Sequence, residues 1–274
     1  ILRADSSRVP FLPLVGYRLA AFGLSYFTPG PQVGGEPLQI IYLQKRYGLT
    51  FARATSAVIM DKLLEFLANF LFLAIGFLAV GRSGMLLNYT PPRWAALALG
   101  LLLLWPLAHI LLMYVGKHPL SAVLSPLLQL SKQNLHQSGH PARGPWQTLV
   151  NLTRLVIVSE HLAALFCRRH LRHLFLSLSA SLLAWVGMVY EYLYMLTILH
   201  ANLNFEQALA SLAVVRLSFL MPMPAGLGTL EASQVFAVSA FGLPAALGIS
   251  LSLIMRARDL LLGGLGLLIA ALKP

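Results

Sequence analysis

Hydrophobic positions along the chain gather into long runs with few polar interruptions: Phe11 to Phe27, Phe51 to Val80, Trp94 to Val115, Leu174 to Leu199, Phe205 to Met221 and Leu243 to Leu272. Most approach the roughly 20 residues that a helix needs to cross a bilayer, so six spanning helices are predicted. Two further stretches, Glu36 to Tyr47 and Thr229 to Phe241, hold only about a dozen residues each, too few to span, and each follows a Pro and Gly cluster. These are predicted as half-helices or re-entrant hairpins. Gly116 to Trp146 reads as the long polar loop. Thr148 to His173 has apolar positions at helical spacing but carries Arg154, Glu160 and His161 and ends in Arg168, Arg169 and Arg172. It is predicted as an amphipathic helix along the cytoplasmic interface, the alternative being one more span with polar edges.

Composition sharpens this picture. Of 274 residues 58% are hydrophobic and 11% charged, with a mean hydropathy of +0.74, whereas a soluble domain is about 25% charged. A soluble globular protein is excluded, and one polytopic membrane unit over residues 1–274 is expected. The formal charge is +11. In an apolar chain such an excess marks cytoplasmic loops and anionic lipid, not nucleic acid. Lys45, Arg46 and Arg53 place the start of the second span inside, Gly116 to His173 lies inside, and the nearly uncharged His200 to Asn204 turn lies outside. The single cysteine, Cys167, excludes an internal disulfide and is expected to be inert. The first ten residues lack the apolar core of a signal peptide, so targeting is expected from the internal spans; a segment before Ile1 is left open.

An internal repeat follows. At an offset of 195 residues Pro29 aligns with Pro224, Glu36 with Glu231, Gln39 with Gln234 and Met60 with Met255. The order is the same in both halves: a Pro and Gly cluster, a Glu opening a short helix, a turn with Gly, then a long charged helix. Paired interrupted segments point to a transporter with a site near the membrane midplane. With the Lys45 end inside and the Gly242 end outside, the repeats are expected to be inverted, over about 11–80 and 205–272.

Six of the nine acids, Glu36, Asp61, Glu65, Glu191, Glu231 and Asp259, sit in or beside apolar helices, where a charge costs about 2.5 to 3.5 kcal/mol. Their expected partners are Lys62, Arg216, Arg256 and Arg258. In the first motif Pro29, Gly34, Gly35 and Pro37 surround Glu36, which either caps a broken helix, or holds a cationic headgroup or proton, or does both. The second motif repeats that design with Pro222, Pro224, Gly226 and Gly228 ahead of Glu231, so backbone groups are freed at membrane depth. No strand pattern precedes these glycines and no Lys-Ser or Lys-Thr follows, which argues against a nucleotide loop. Asp61 and Glu65 are four apart on one face and need a cation between them; Arg256 and Asp259, three apart, can pair within their helix. These groups form either an ion-pair network tying the repeats together or a phosphate grip balanced by acids. Glu191 lies among Tyr190, Tyr192 and Tyr194 near Trp185, an interfacial aromatic belt or a headgroup pocket. The histidines have no ligand spacing and no GxSxG is present, so no metal site, cofactor or catalytic residue is assigned.

At these residues the chain resembles the lysylphosphatidylglycerol synthase transmembrane family, a flippase-like membrane domain. The resemblance is carried by Pro29 to Pro37, by Asp61-Lys62 where the family usually has Glu-Arg, by Pro222 to Glu231 and by Arg256. Ala225 stands where the family commonly has Gly, and Gln39 where an Arg often follows the first Glu. What the resemblance implies is lipid translocation, with aminoacylated phosphatidylglycerol among the substrates, and not lipid synthesis.

The expectation is therefore an all-α lipid transporter in a bacterial cytoplasmic (inner) membrane. Its headgroup cavity is expected to be lined by Glu36, Asp61, Lys62, Glu65, Glu191, Arg216, Glu231, Arg256, Arg258 and Asp259. Its partners would be anionic or aminoacylated lipids, with a lipid synthase or a second copy of the chain left open. Two rival readings are an integral-membrane group transferase with Glu36 or Glu231 as base, and a scaffold that recruits a synthase through Gly116 to His173.

Overall fold

The computed structural model describes residues 9–28, 34–85, 93–126, 145–221 and 223–272. Most of the polar loop, with Lys132 and Arg143, and both Pro29 and Pro222 lie outside the described residues. Among the described residues every regular element is helical and there is no strand. The helices are α1 (Phe11–Phe27), α2 (Glu36–Tyr47), α3 (Phe51–Arg82) and α4 (Arg93–Val115). A short α5 (Pro119–Pro126) follows. Then come α6 (Pro145–Arg169), α7 (Leu171–Ile198), α8 (Phe205–Ser218), a 3₁₀ turn (Pro224–Gly226), α9 (Thr229–Ser239) and α10 (Ala245–Leu272).

Each of the six apolar runs is a helix, yet they are not six equal spans. Among the described residues two helices, α3 and α7, are long and apolar enough to cross a membrane, and a third is gained if Gly100–Val115 and Pro119–Pro126, bent by 88°, are one span. The 28 residues of α10 include Arg256, Arg258 and Asp259. Only 14 residues belong to α8, about 21 Å at 1.5 Å per residue, which is short of a bilayer core. The predicted run to Met221 is cut because the residue before Pro222 is pushed out of the α region. The polar loop differs too, since it contains α5.

The chain divides into two compact units. The first is Ile1–Val9, Ile40–Glu65 and Leu104–Leu178, and the second is Pro10–Gln39, Phe66–Leu103 and Ser179–Pro274. In the first unit Ser159 Oγ donates to the Ala52 carbonyl at 3.3 Å, and Cys167 Sγ lies 3.8 Å from Met60 Sδ. Both contacts join residues 107 apart, so α6 runs parallel to the start of α3 for two turns. The opening of α5 is held by Glu160, which is 1% exposed. Its carboxylate accepts the Leu120 amide at 2.8 Å, the Ser121 amide at 2.6 Å and the Ser121 hydroxyl at 2.5 Å, satisfying first-turn donors that a helix cannot satisfy itself.

The second unit has the larger apolar core, with Phe72, Trp185, Tyr192, Leu212, Leu230 and Leu251 among its buried members. Within it α1 and α10 pack antiparallel through glycines. A Cβ on Gly23 would stand 2.7 Å from the Gly263 carbonyl oxygen, and one on Gly266 would stand 2.2 Å from the Leu19 carbonyl carbon. Small residues let backbones approach in this way where apolar burial gives helices little reason to associate in lipid. Asn204 caps α8, accepting the Gln207 amide at 2.8 Å while Gln207 Oε1 accepts the Asn204 amide at 3.0 Å.

Candidate functional site

The second motif builds a closed circuit around a broken helix. Between α8 and α9 the backbone takes positive φ at Ala225 (53°), Gly226 (59°) and Gly228 (77°), which leaves carbonyls and an amide without helical partners. Arg256, from α10, donates to the Ala225 carbonyl through Nη1 at 3.2 Å and to the Gly226 carbonyl through Nη2 at 3.3 Å. Its Nε donates to Glu231 Oε1 at 2.6 Å. The other oxygen of Glu231 accepts the Gly228 amide at 3.0 Å, reaching back from the third position of α9 as in a capping box. Thr229 Oγ1 donates to the Gly226 carbonyl at 3.1 Å. One fork of donors and one carboxylate thus satisfy the groups that the break exposes.

A second charge group stands two and three residues further along α10. Arg258 donates to Glu191 Oε2 at 2.6 Å and, through Nε and Nη2, to Asp259 Oδ1 at 2.9 and 2.7 Å. Asp259 is buried at 4% exposure. The pairing of Arg256 with Asp259 that their spacing permits is not the one formed: Asp259 takes its neighbour Arg258, because Arg256 is turned toward the Ala225 and Gly226 carbonyls and Glu231. Arg216 lies with its guanidinium carbon 4.6 Å from the Trp185 ring centre and 5.5 Å from that of Phe219, and Trp185 stacks on Phe72 at 4.4 Å. The aromatics around Glu191 split between two faces of α7. Tyr190 and Tyr194 are exposed, while Trp185 and Tyr192 are buried.

The first motif shares part of this geometry. Glu36 accepts the Gly34 amide at 2.7 Å, and the Gly35 amide donates to Ser25 Oγ of α1 at 2.8 Å. A Cβ on Gly35 would stand 2.0 Å from the Ala21 carbonyl oxygen, so only glycine lets the chain pass α1 here. Pro37 sits in the first turn of α2, where its missing N–H is no loss.

Of the ten charged residues the sequence nominated, seven, Glu36, Glu191, Arg216, Glu231, Arg256, Arg258 and Asp259, belong to the second unit. Asp61, Lys62 and Glu65 belong to the first. There Lys62 Nζ meets Glu65 Oε2 at 3.1 Å with both side chains partly exposed, a pair worth a few tenths of a kcal/mol.

Profile comparison decides the family: residues 1–266 match the model of the lysylphosphatidylglycerol synthase TM region. The chain belongs to that family. Membership and the apolar helices together make this lysylphosphatidylglycerol synthase TM region protein an integral membrane protein of helical type. No curated protein and no solved structure matches the chain.

Sequence reasoning missed three polar groups that this family member buries. Gln234 is 0% exposed, accepting from the Tyr192 hydroxyl at 3.1 Å and donating to Met255 Sδ at 3.0 Å. Glu160 was read only as part of a polar face. Its helical neighbours Val156, Ile157, Ala163, Ala164 and Cys167 are apolar, a legible sign that it points inward. His109, 6% exposed, lies 3.6 Å from Glu160 through Nε2. Among the described residues no group of His, Cys, Asp or Glu could hold a metal.

Proposed function

We propose that this protein is a lipid flippase that moves an anionic or aminoacylated phospholipid across a bacterial cytoplasmic membrane, making and breaking no covalent bond. The headgroup passes the polar groups of the second unit, Glu36, Glu191, Arg216, Glu231, Arg256, Arg258 and Asp259, while the tails stay in lipid. In this reading α1–α3 and α8–α10 are inverted repeats and α2 and α9 are their re-entrant helices. Each half opens its short helix with a glutamate that accepts a glycine amide, Gly34 to Glu36 and Gly228 to Glu231, which supports the repeat.

The observation that carries the proposal is the Glu231 and Arg256 circuit over a broken helix. Irregular backbone at membrane depth is tolerated where it is covered by protein or lines a polar cavity, and broken helices of this kind hold the substrate in transporters. A phosphate or amine can compete for donors and acceptors that now satisfy one another, so the headgroup exchanges water for protein groups and its crossing barrier falls.

The test is headgroup translocation in reconstituted vesicles carrying fluorescent phosphatidylglycerol, phosphatidylcholine or aminoacylated phosphatidylglycerol, with lipid masses measured afterwards. Unmodified lipid should move, and a Glu36→Gln, Glu231→Gln double variant should slow it by about tenfold or more. An unchanged rate in a folded double variant would overturn the assignment of the site. A changed lipid mass without movement would identify an enzyme instead.

A further inference from the structure

The first unit contains a cavity of about 250 Å³ that the transport reading does not use. One wall is a stripe of α3 and the residue before its cap, Leu49, Arg53, Ser56, Ala57 and Met60. The facing wall is a stripe of α6, Leu162, Leu165 and Phe166, ending in Arg169 and His170 where α6 gives way to α7. Both stripes recur at three- and four-residue spacing, so each is a single helical face. The two helices run parallel there, as the Ser159 and Cys167 contacts require.

The chemistry of this cavity is divided along its length. Its middle is thioether, alkyl and phenyl, with the Ser56 hydroxyl among them. At the α6 end Arg169 and His170 line it within the basic run Arg168, Arg169, His170, Arg172 and His173. Arg53 flanks it toward the start of α3. An apolar slot with a cationic mouth fits neither a neutral metabolite nor a plain solvent cleft. From these residues we infer that the cavity is a binding site for an anionic phospholipid, separate from the translocation site. The phosphate is held at Arg169 and His170, and part of one acyl chain lies against Ala57, Met60, Leu162 and Phe166. Guanidinium groups suit phosphate because their donors form a planar fork, and a cation near anionic lipid gains from the surface field as well.

The experiment is native mass spectrometry of the full chain released from detergent micelles and titrated with dioleoylphosphatidylglycerol, dioleoylphosphatidylcholine or inorganic phosphate. The expected result is tighter binding of phosphatidylglycerol than phosphatidylcholine by about tenfold, abolished in an Arg169→Gln, His170→Gln variant whose mouth has lost its guanidinium and imidazole. Ala57→Phe, which fills the floor, should weaken both lipids while the helical content stays unchanged. Equal binding of the two lipids, insensitive to Arg169→Gln and His170→Gln, would mean ordinary bilayer contact and would overturn the inference. So would inorganic phosphate displacing phosphatidylglycerol with no effect of Ala57→Phe, since that describes an anion site without a lipid.

Discussion

Arg256 and Glu231 form the pair whose removal tests the site most sharply. The Arg256 side chain is 13% exposed and that of Glu231 35%, so the pair is neither a wet surface bridge nor fully buried. Arg256→Met deletes the bond to Glu231 and both bonds to the carbonyls of Ala225 and Gly226. A hydrogen bond involving a charged group contributes about 1.5–3 kcal/mol, and a stranded carbonyl adds its own desolvation. Allowing for water at the Glu231 side, the loss should be about 3 kcal/mol. Glu231→Gln keeps an acceptor for the Gly228 amide but removes the charge, which should cost about 1.5 kcal/mol. In the double variant the shared term is lost once, so the two losses should fall short of additivity by about 1–2 kcal/mol. Arg256→Lys should recover less than half, because an ammonium cannot serve the carboxylate and two carbonyls as a fork does. The assay is unfolding in mixed micelles of rising dodecyl sulfate fraction, followed by circular dichroism. Additivity within about 0.5 kcal/mol would show that the pair is not coupled, and the circuit drawn around the break would be wrong.

The remaining predictions are independent of that pair. Gly266→Leu should destabilise the fold by about 2–3 kcal/mol in the same assay, because its Cβ would meet backbone of α1 at 2.2 and 2.4 Å. Gly264→Ala, two residues away with nothing within 4 Å of its Cβ, should be neutral or slightly stabilising. Ala225 pays for a φ of 53° that glycine adopts freely, so Ala225→Gly should stabilise by about 0.5–1 kcal/mol once the flexibility of glycine in the unfolded chain is subtracted. Burial pushes the Cys167 thiol up to about 11 from an ordinary 9.0. The thiolate is the reacting form, so at pH 8 alkylation of the folded chain should run about a hundredfold slower than of the unfolded chain. Its rate should keep rising with pH past 9, where an ordinary thiol levels off; an early plateau would show that Cys167 is exposed.

How far the sequence reaches can be judged element by element. Long apolar runs can bury or cover their backbone only as helices, so α1, α3, α4, α7 and α10 were placed within three residues at each end. The short α2 was placed with both its ends, because Pro and Gly before Glu36 and Gly48 after Tyr47 are local signals. The end of α8 was missed through one neglected rule, the effect of Pro222 on the residue before it. The loss of α5 inside the polar loop was of another kind. Its eight residues are capped by a carboxylate about 40 positions downstream, and no window of local sequence contains that partner. The same limit applied to the ion pairs. Spacing favoured Arg256 with Asp259, but Glu231 lies 25 residues away and the carbonyls of Ala225 and Gly226 lie about 30 away.

The two motifs show why a repeat can be legible in order while its identities fade. A helix broken by Pro and Gly frees an amide just ahead of the next helix, and a carboxylate in that helix's first turn is the nearest group able to accept it. That requirement recurs, and Glu36 and Glu231 both meet it. What steadies the rest of each break is not fixed by the requirement. In the first motif a serine of α1 takes the Gly35 amide; in the second an arginine of α10 spans the carboxylate and two carbonyls. The consequence for the proposed transport is one of selectivity. An arginine already engaged by three groups gives way only to a ligand that offers comparable acceptors, which any phosphodiester does, while the quaternary ammonium of a zwitterionic headgroup adds a repulsion that an anionic headgroup lacks. On the proposed flippase reading the second break is the place where an anionic headgroup would be favoured over a zwitterionic one, and Arg256→Lys should narrow that preference before it abolishes movement.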